Sequence, residues 1–234
     1  MEKIDKTQYT KEEYRRLKQE KRLAKAGLSE SKTPRNIQSD TVFVIGNGTS
    51  RTGIDLSILQ KYGAIYACNA VYREFDPDYL VAVDVKMILE INRAKYQYKN
   101  PNVWTNKNRA YESMHRLNFF EKSKGWSSGP TALWLATQHG YKQIYILGFD
   151  FKGLEGGKKF NNIYANTINY KKTTDTATFF GNWLRQTCTV CKENPNIQFT
   201  RVIQPNDFCP TELNNFTNFN TIHLKHFFEH FYFT

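Results

Sequence analysis

Short apolar runs, most of them ending at a glycine, an asparagine or an aspartate, alternate with helix-forming segments through the middle of this chain. The runs that predict buried strands are residues 41–45, 64–68, 78–84, 102–105, 143–147 and 197–202. The segments that predict helices are residues 54–62, 86–96, 128–139 and 175–191. Such alternation needs right-handed crossovers between parallel strands. We therefore predict an α/β fold with a Rossmann-like, mostly parallel sheet and flanking helices.

The N-terminal segment differs from the rest in charge. The chain carries 33 Lys and Arg against 22 Asp and Glu, a net charge of +11, and residues 1–36 hold 11 of the basic and 6 of the acidic residues. Thr10 and Glu13 form a capping-box pattern, and Gly27 ends the run of helix formers that follows. We predict a basic helical arm here, which is a candidate contact for an anionic partner.

Three parts follow from these patterns. Residues 1–38 are predicted to be the arm and a linker, residues 39–204 a Rossmann-like domain, and residues 205–234 a tail that packs on that domain with a short terminal helix. No apolar run approaches the roughly 20 residues of a membrane span, and the N-terminus lacks the apolar stretch of a signal peptide. Four cysteines do not form a disulfide framework at this length, so we expect a cytoplasmic protein.

Small and amide residues gather where the predicted strands end. In an open parallel sheet, ligands bind beyond the carboxyl ends of the strands, so these loops are expected to converge. The helix predicted at Ser128 adds free N–H groups at its positive end, where a phosphate is favoured. The candidate binding residues are Gly46, Asn47, Gly48, Thr49, Ser50, Asn69, Asp84, Ser128 and Gly129.

Two standard nucleotide loops are absent from the sequence. A dinucleotide fingerprint needs a third glycine where Arg51 stands, and an acidic residue where Asn69 ends the second strand. A P-loop needs Lys and Ser or Thr after Gly53, but Ile54 and Asp55 follow it. NAD binding and a phosphate-gripping P-loop are therefore disfavoured. Asn47 and Asn69 are suited instead to reading a base edge or a ribose without charge.

Three segments, in this order, resemble the bacterial sialyltransferases of glycosyltransferase family 42. They read VFVIGNGTSRTGIDL from residue 42, AIYACNAVYREF from residue 64 and SSGPTALWLATQHGYKQIYILGFDF from residue 127. The family has a GNGPS-type first loop, a CN-x-x-Y second loop and a Ser-Gly helix start before a strand that leads into Asp-Phe. The resemblance covers roughly residues 41–152, about half of the chain. The same skeleton, with an acid after the third strand, is similar to the 6-hydroxymethylpterin diphosphokinase-like family.

The resemblance implies a nucleotide site. In the sialyltransferases these loops hold the CMP of CMP-sialic acid, which implies nucleotide contacts here for Asn47, Asn69, Ser128 and Gly129. Asp84 stands where the family has an asparagine that also faces the nucleotide. We therefore predict that residues 39–204 form a nucleotide-dependent transferase, a glycosyltransferase with a CMP-sugar-like donor that requires no cofactor or metal.

The residues that would do the chemistry depart from that family. No histidine lies between residues 140 and 222, and Tyr170 stands where the family has its basic histidine. Lys152 replaces the first of two tyrosines that contact the leaving phosphate, and Tyr164 is the candidate for the second. A lysine stabilises a leaving phosphate by charge, whereas a tyrosine base needs a lowered pKa. We predict Lys152 or Tyr164 at the leaving phosphate and Tyr170 or Asp150 as the base.

Two other functions are compatible with the sequence. The first is a Mg²⁺- and ATP-dependent diphosphokinase of the pterin type, with Asp84 and Asp150 holding the metal. The second is a non-catalytic nucleotide- or nucleic-acid-binding protein whose basic arm docks to a polyanion.

Two metal-like strings are interpreted as structural or accidental. Cys188 and Cys191 form a C-x-x-C inside a predicted helix, where small buried side chains are expected. His226 and His230 belong to an H-x-x-E-H string, and His223 is predicted to share their helical face.

Overall fold

The computed structural model describes residues 39–232, together with Thr10, Tyr14, Lys18 and Lys21. The predicted arm, residues 1–38, lies outside the described residues apart from those four. Tyr14, Lys18 and Lys21 have a helical backbone, and the N–H of Tyr14 donates to the carbonyl of Thr10 at 2.9 Å.

In the described part of the chain, eight strands form one sheet in which every neighbouring pair is parallel. They are β1 (Thr41–Ile45), β2 (Ala64–Cys68), β3 (Tyr79–Val81), β4 (Val103–Thr105), β5 (Asn118–Phe119), β6 (Gln143–Leu147), β7 (Gln198–Ile203) and β8 (Phe219–His223). Their order across the sheet is β5-β4-β3-β2-β1-β6-β7-β8. Strands β2 to β5 therefore follow one another on one side of β1. The chain then crosses back, and β6 to β8 follow one another on the other side of β1. This confirms the predicted α/β, Rossmann-like fold.

Within residues 39–232, six helices connect or cover the strands. They are α1 (Leu56–Leu59), α2 (Val85–Arg93), α3 (Tyr96–Lys99), α4 (Ser128–Thr137), α5 (Gly181–Glu193) and α6 (Leu224–Phe231). Single helical turns of the 3-10 type lie at Thr49–Arg51, Asn69–Arg73 and Thr211–Asn215, and a four-residue turn at Leu154–Gly157 has left-handed residues inside it. No helix within the described residues is both long and apolar enough to cross a bilayer.

The core has two halves, one on each face of the sheet. Successive residues of a strand point to opposite faces, so Phe43 and Ile45 enter one half while Val42 and Val44 enter the other. Helices α1, α2 and α6 cover the first face, and α4 and α5 cover the second. Because both faces are buried, β1 is apolar along nearly its whole length, as the sequence indicated.

Several boundaries differ from the sequence prediction. Lys95 adopts a left-handed φ of 59° and ends α2 earlier than residue 96, before the separate turn of α3. The helix expected from residue 175 begins only at Gly181. The preceding backbone pairs instead with residues 158–160, since the N–H of Ala177 donates to Lys158 and that of Phe160 to Asp175.

The C-terminal segment does more than pack on the domain. Phe219–His223 adds β8 to the edge of the sheet, in register with β7, and Leu224–Phe231 forms the expected terminal helix. His223 is the last residue of β8, so the prediction that it shares a helical face with His226 and His230 is wrong. Phe227 and Phe231 are buried against Phe43 and Tyr145 of the sheet.

This packing predicts that Phe227→Ala lowers the free energy of unfolding by about 3–5 kcal/mol, the cost of removing a fully buried aromatic ring. Phe179 is 72% exposed, and Phe179→Ala is expected to change it by less than about 0.5 kcal/mol. Urea denaturation of the two variants measures the difference. Equal effects would contradict the packing of α6 against the sheet.

Candidate functional site

A cavity of about 350 Å³ lies at the carboxyl ends of the central strands. It sits where the chain order reverses, between the loops that follow β1 and β6, the usual binding position in such sheets. Its volume lies within the range of small-molecule sites. Predicted residues that line it are Gly46, Asn47, Gly48, Asn69, Asp84, Ser128, Gly129, Asp150 and Lys152. The topology thus brings most of the candidate residues to one place.

Two amide oxygens in the cavity wall are buried without a hydrogen-bond partner among the described residues. They are Oδ1 of Asn47, a residue only 8% exposed, and Oδ1 of Asn69. The Asn47 Nδ2 makes only long contacts, at 3.4 Å, with the carbonyl of Cys68 and the hydroxyl of Tyr170. A buried acceptor left unpaired costs about 1–3 kcal/mol. A ligand whose hydroxyl or amino group donates to these oxygens recovers that loss.

The start of α4 contributes two backbone donors. Ser127 is its N-cap, and the Ser127 N–H donates to the side chain of Gln186 at 3.1 Å. Ser128 is held by its hydroxyl, which accepts from the N–H of Val83 at 3.1 Å. The N–H groups of Ser128 and Gly129 have no acceptor among the described residues. A phosphate is stabilised at such a position by the N–H groups and by the helix dipole.

Thr49 and Ser50, predicted to cradle the nucleotide, do not line the cavity. The N–H and hydroxyl of Thr49 donate to Asn161 Oδ1 at 3.0 and 2.9 Å. The N–H of Ser50 donates to Asp150 at 3.1 Å, and its hydroxyl donates to the same carboxylate. Because these donors are already used within the protein, the two residues anchor the loop instead of contacting a ligand.

Asp150 lines the cavity but serves as the anchor of the loop after β1. Besides the two donors of Ser50, its carboxylate accepts from Asn161 Nδ2 at 2.9 Å. A Cβ at Gly48 would lie 2.3–2.4 Å from the carboxylate atoms, so a larger residue there would displace the carboxylate from these bonds. A carboxylate that already accepts these bonds is poorly placed to act as the predicted base.

Lys152 is the cationic side chain of the cavity wall that the sequence indicated. It is exposed, and its ammonium group lies 5.1 Å from the centre of the Phe208 ring. No carboxylate in the described part of the chain lies within ion-pair distance of it. Its charge is available to a phosphate group in the cavity.

Tyr164, the second candidate for the leaving phosphate, does not line the central cavity. Its hydroxyl donates to Glu74 and accepts from Arg51 Nη2 at 3.0 Å, and burial raises its pKa. Arg51 is itself only 4% exposed, with its Nε donating to the carbonyl of Gly46 at 2.6 Å. Buried Arg51 and Tyr164 thus form a network with the exposed carboxylate of Glu74, and this network supports the loop after β1.

Tyr170 lines a neighbouring cavity instead of the central one. Its hydroxyl accepts weakly from Asn47 Nδ2 and from the N–H of Ala70, both at 3.4 Å. Burial raises its pKa well above the ordinary value of a tyrosine. A tyrosine base needs its pKa lowered, so the environment of Tyr170 opposes the predicted role.

Asn161 and Trp183 are among the cavity residues that the sequence analysis missed. Asn161 bonds to Asp150, Thr49 and the carbonyl of Lys152, so it ties the loop after β6 to the loop after β1. Trp183, in the first turn of α5, places an aromatic ring in the cavity wall. Asn161 does not directly follow a strand and belongs to no motif, so nothing in the sequence marked it as a site residue. For Trp183 the sequence offered one signal, an aromatic residue near the start of a helix.

The structure gives no support for the metal-like strings. Cys188 and Cys191 lie inside α5, as predicted, with free thiols whose pKa burial raises. No cluster of three His, Cys, Asp or Glu side chains in the described residues is arranged to hold a metal ion.

Comparison of the chain with protein-family models, with curated proteins and with solved structures found no match.

The anchoring role of Asp150 predicts that Asp150→Ala lowers the free energy of unfolding by about 1–3 kcal/mol, because the donors of Ser50 and Asn161 lose their acceptor. Glu193→Ala is the control, since Glu193 makes only an exposed ion pair and is expected to change stability by less than about 1 kcal/mol. Chemical denaturation compares the two. An Asp150→Ala protein as stable as the wild type would show that the carboxylate does not hold the loop.

Proposed function

We propose that this chain is a nucleotide-dependent transferase, a glycosyltransferase that uses a nucleotide-activated sugar of the CMP-sugar type. One observation carries the proposal: the central cavity combines two unpartnered amide oxygens, on Asn47 and Asn69, with the open N-terminus of α4. The amides suit an uncharged base or ribose, and the helix end suits a phosphate.

The proposed donor lies with its nucleoside against Asn47 and Asn69 and its phosphate near Ser128 and Gly129. In the transfer, the bond between the anomeric carbon and the phosphate oxygen breaks, and the electron pair leaves with the nucleotide. The N–H groups of Ser128 and Gly129 and the ammonium of Lys152 stabilise the charge that develops on the leaving phosphate. The two N–H groups are fixed by the helix before the reaction, which is the condition under which electrostatic stabilisation is most effective.

The diphosphokinase alternative has weaker support from the geometry. It requires two carboxylates, Asp84 and Asp150, to share a metal ion. Asp150 is already bonded to Ser50 and Asn161, and a metal at that carboxylate would compete with the contacts that anchor the loop. Asp84 alone remains available, so we favour transfer of a sugar over transfer of a diphosphate.

Titration calorimetry with CMP, CDP, UDP and ATP tests the proposal. Binding of at least one of them is expected, with a cytidine nucleotide preferred. Failure of all four to bind at millimolar concentration would end the proposal. Strong binding of ATP alone, and only with Mg²⁺, would favour the diphosphokinase instead.

The nucleoside end of the site predicts a loss of affinity in Asn69→Gly. Asn69 has a left-handed φ of 54°, which glycine adopts without strain, so this change removes the amide and keeps the backbone. We expect the dissociation constant of the bound nucleotide to rise about 3- to 10-fold, the worth of one hydrogen bond. Asn166→Gly is the matched control, because Asn166 is also left-handed, with a φ of 66°, and lies outside the cavity. Equal affinities in both variants would refute the role of the Asn69 amide.

The phosphate end predicts a different pattern for Lys152→Gln. This change removes one positive charge and keeps most of the side-chain length. The affinity for CDP is expected to fall about 5- to 10-fold, while that for cytidine stays within about twofold, because only CDP carries phosphate. Calorimetry with both ligands measures the two ratios. A parallel loss for both would place Lys152 at the nucleoside and contradict the orientation proposed here.

A further inference from the structure

A second cavity, of about 400 Å³, adjoins the central one, and both include Asn69 and Asp84 in their walls. Its other walls come from the first turn of α2, with Val85, Lys86 and Met87, and from Asn169 and Tyr170 of the long segment that follows β6. Two cavities that share a boundary fit a reaction in which two substrates meet. The inference below rests on the proposed glycosyltransferase function.

The segment that forms one wall of the second cavity is fixed against α2. Glu90 of α2 accepts from Asn169 Nδ2 at 2.6 Å and from Arg73 Nη2 at 2.7 Å. Arg73 also donates to the carbonyl of Ile168 at 2.9 Å. Arg73 therefore builds the wall of the second cavity and is not the free cation that a phosphate would need.

Asp84 stands at the boundary between the two cavities. It is the N-cap of α2, yet its carboxylate makes no capping hydrogen bond, and no donor of residues 39–232 bonds to it. It is also exposed, so a ligand in either cavity can reach it. The two predicted bases are less suitable, because Asp150 is bonded to Ser50 and Asn161 and Tyr170 is a buried phenol.

We propose that the second cavity holds the acceptor, a hydroxyl compound of the sugar class, and that Asp84 is the catalytic base. The acceptor oxygen attacks the anomeric carbon of the donor and forms the new glycosidic bond. The hydroxyl proton passes to the Asp84 carboxylate as the bond to the phosphate breaks and its electron pair leaves with the nucleotide. Asp84 then returns the proton to water.

The walls of the second cavity fit this class of acceptor. Val85, Met87 and the ring of Tyr170 offer apolar surface for the carbon face of a sugar ring. Asn169 and Lys86 offer polar groups for hydroxyls or for a ring carboxylate. A purely apolar or purely cationic pocket would not combine these two kinds of surface.

The variant Asp84→Asn tests the assignment, since it keeps the shape of the side chain and removes its ability to take a proton. The assay supplies the sugar conjugate of the nucleotide that binds best in calorimetry and a panel of mono- and disaccharides. The readouts are the release of free nucleotide and the dissociation constant of that nucleotide. Asp55→Asn is the matched control, because Asp55 is likewise an N-cap carboxylate, of α1, and lies outside both cavities.

We expect Asp84→Asn to slow saccharide-dependent release about 10²–10⁴-fold, the usual contribution of a general base, with nucleotide affinity within about twofold of wild type. Asp55→Asn should leave both quantities unchanged. Equal turnover in Asp84→Asn and wild type would overturn the assignment, as would a parallel loss of nucleotide binding. If the wild type binds the nucleotide but releases no free nucleotide from the sugar conjugate with any saccharide, only the assignment of the second cavity to the acceptor would be overturned. Absence of nucleotide binding would instead refute the proposed function.

Discussion

The close approach of the chain after β1 to the chain after β6 creates the site. The N–H of Gly46 donates to Leu147 at 2.7 Å, and that of Gly48 donates to Gly148 at 2.9 Å. A Cβ at Gly46 would lie 2.5 Å from the carbonyl oxygen of Gly148, so no larger residue allows this contact. With the two loops joined, Asn47 enters the cavity wall, and the chain order reverses at the point where a ligand fits.

The sequence was most informative where burial decides the structure. The central strands β1, β2 and β6 are mostly buried, and their apolar runs predicted their bounds, as at Ala64–Cys68, which is buried at every residue. Phe219–His223 was missed because it lies at the edge of the sheet with only its first residue fully buried, so it shows no apolar run. The sequence pattern predicted that α5 starts at residue 175, which is too early. The N–H of Ala177 donates to the carbonyl of Lys158, so this part of the backbone is paired with another loop and is not helical.

The positions of the candidate site residues were predictable only where topology fixes them. Asn47, Asn69 and Asp84 follow central strands, and a parallel sheet brings such residues together whatever the loops do. Tyr164 and Tyr170 belong to the long segment after β6, whose course depends on left-handed residues and on contacts with distant elements. A pattern of residue types does not encode that course, so the sequence did not predict that both tyrosines lie outside the central cavity.

The distribution of charge around the cavity explains why few side chains are available for chemistry. Arg51 is committed to Glu74 and Arg73 to Glu90, so the arginines nearest the site stabilise its walls. What remains for an anion is the N-terminus of α4 and the ammonium of Lys152. The helix dipole and one exposed lysine bind a phosphate less tightly than paired arginines, because the guanidinium fork adds bidentate bonds. Under the proposed transferase function, such a site would favour release of the nucleotide after transfer, which turnover requires.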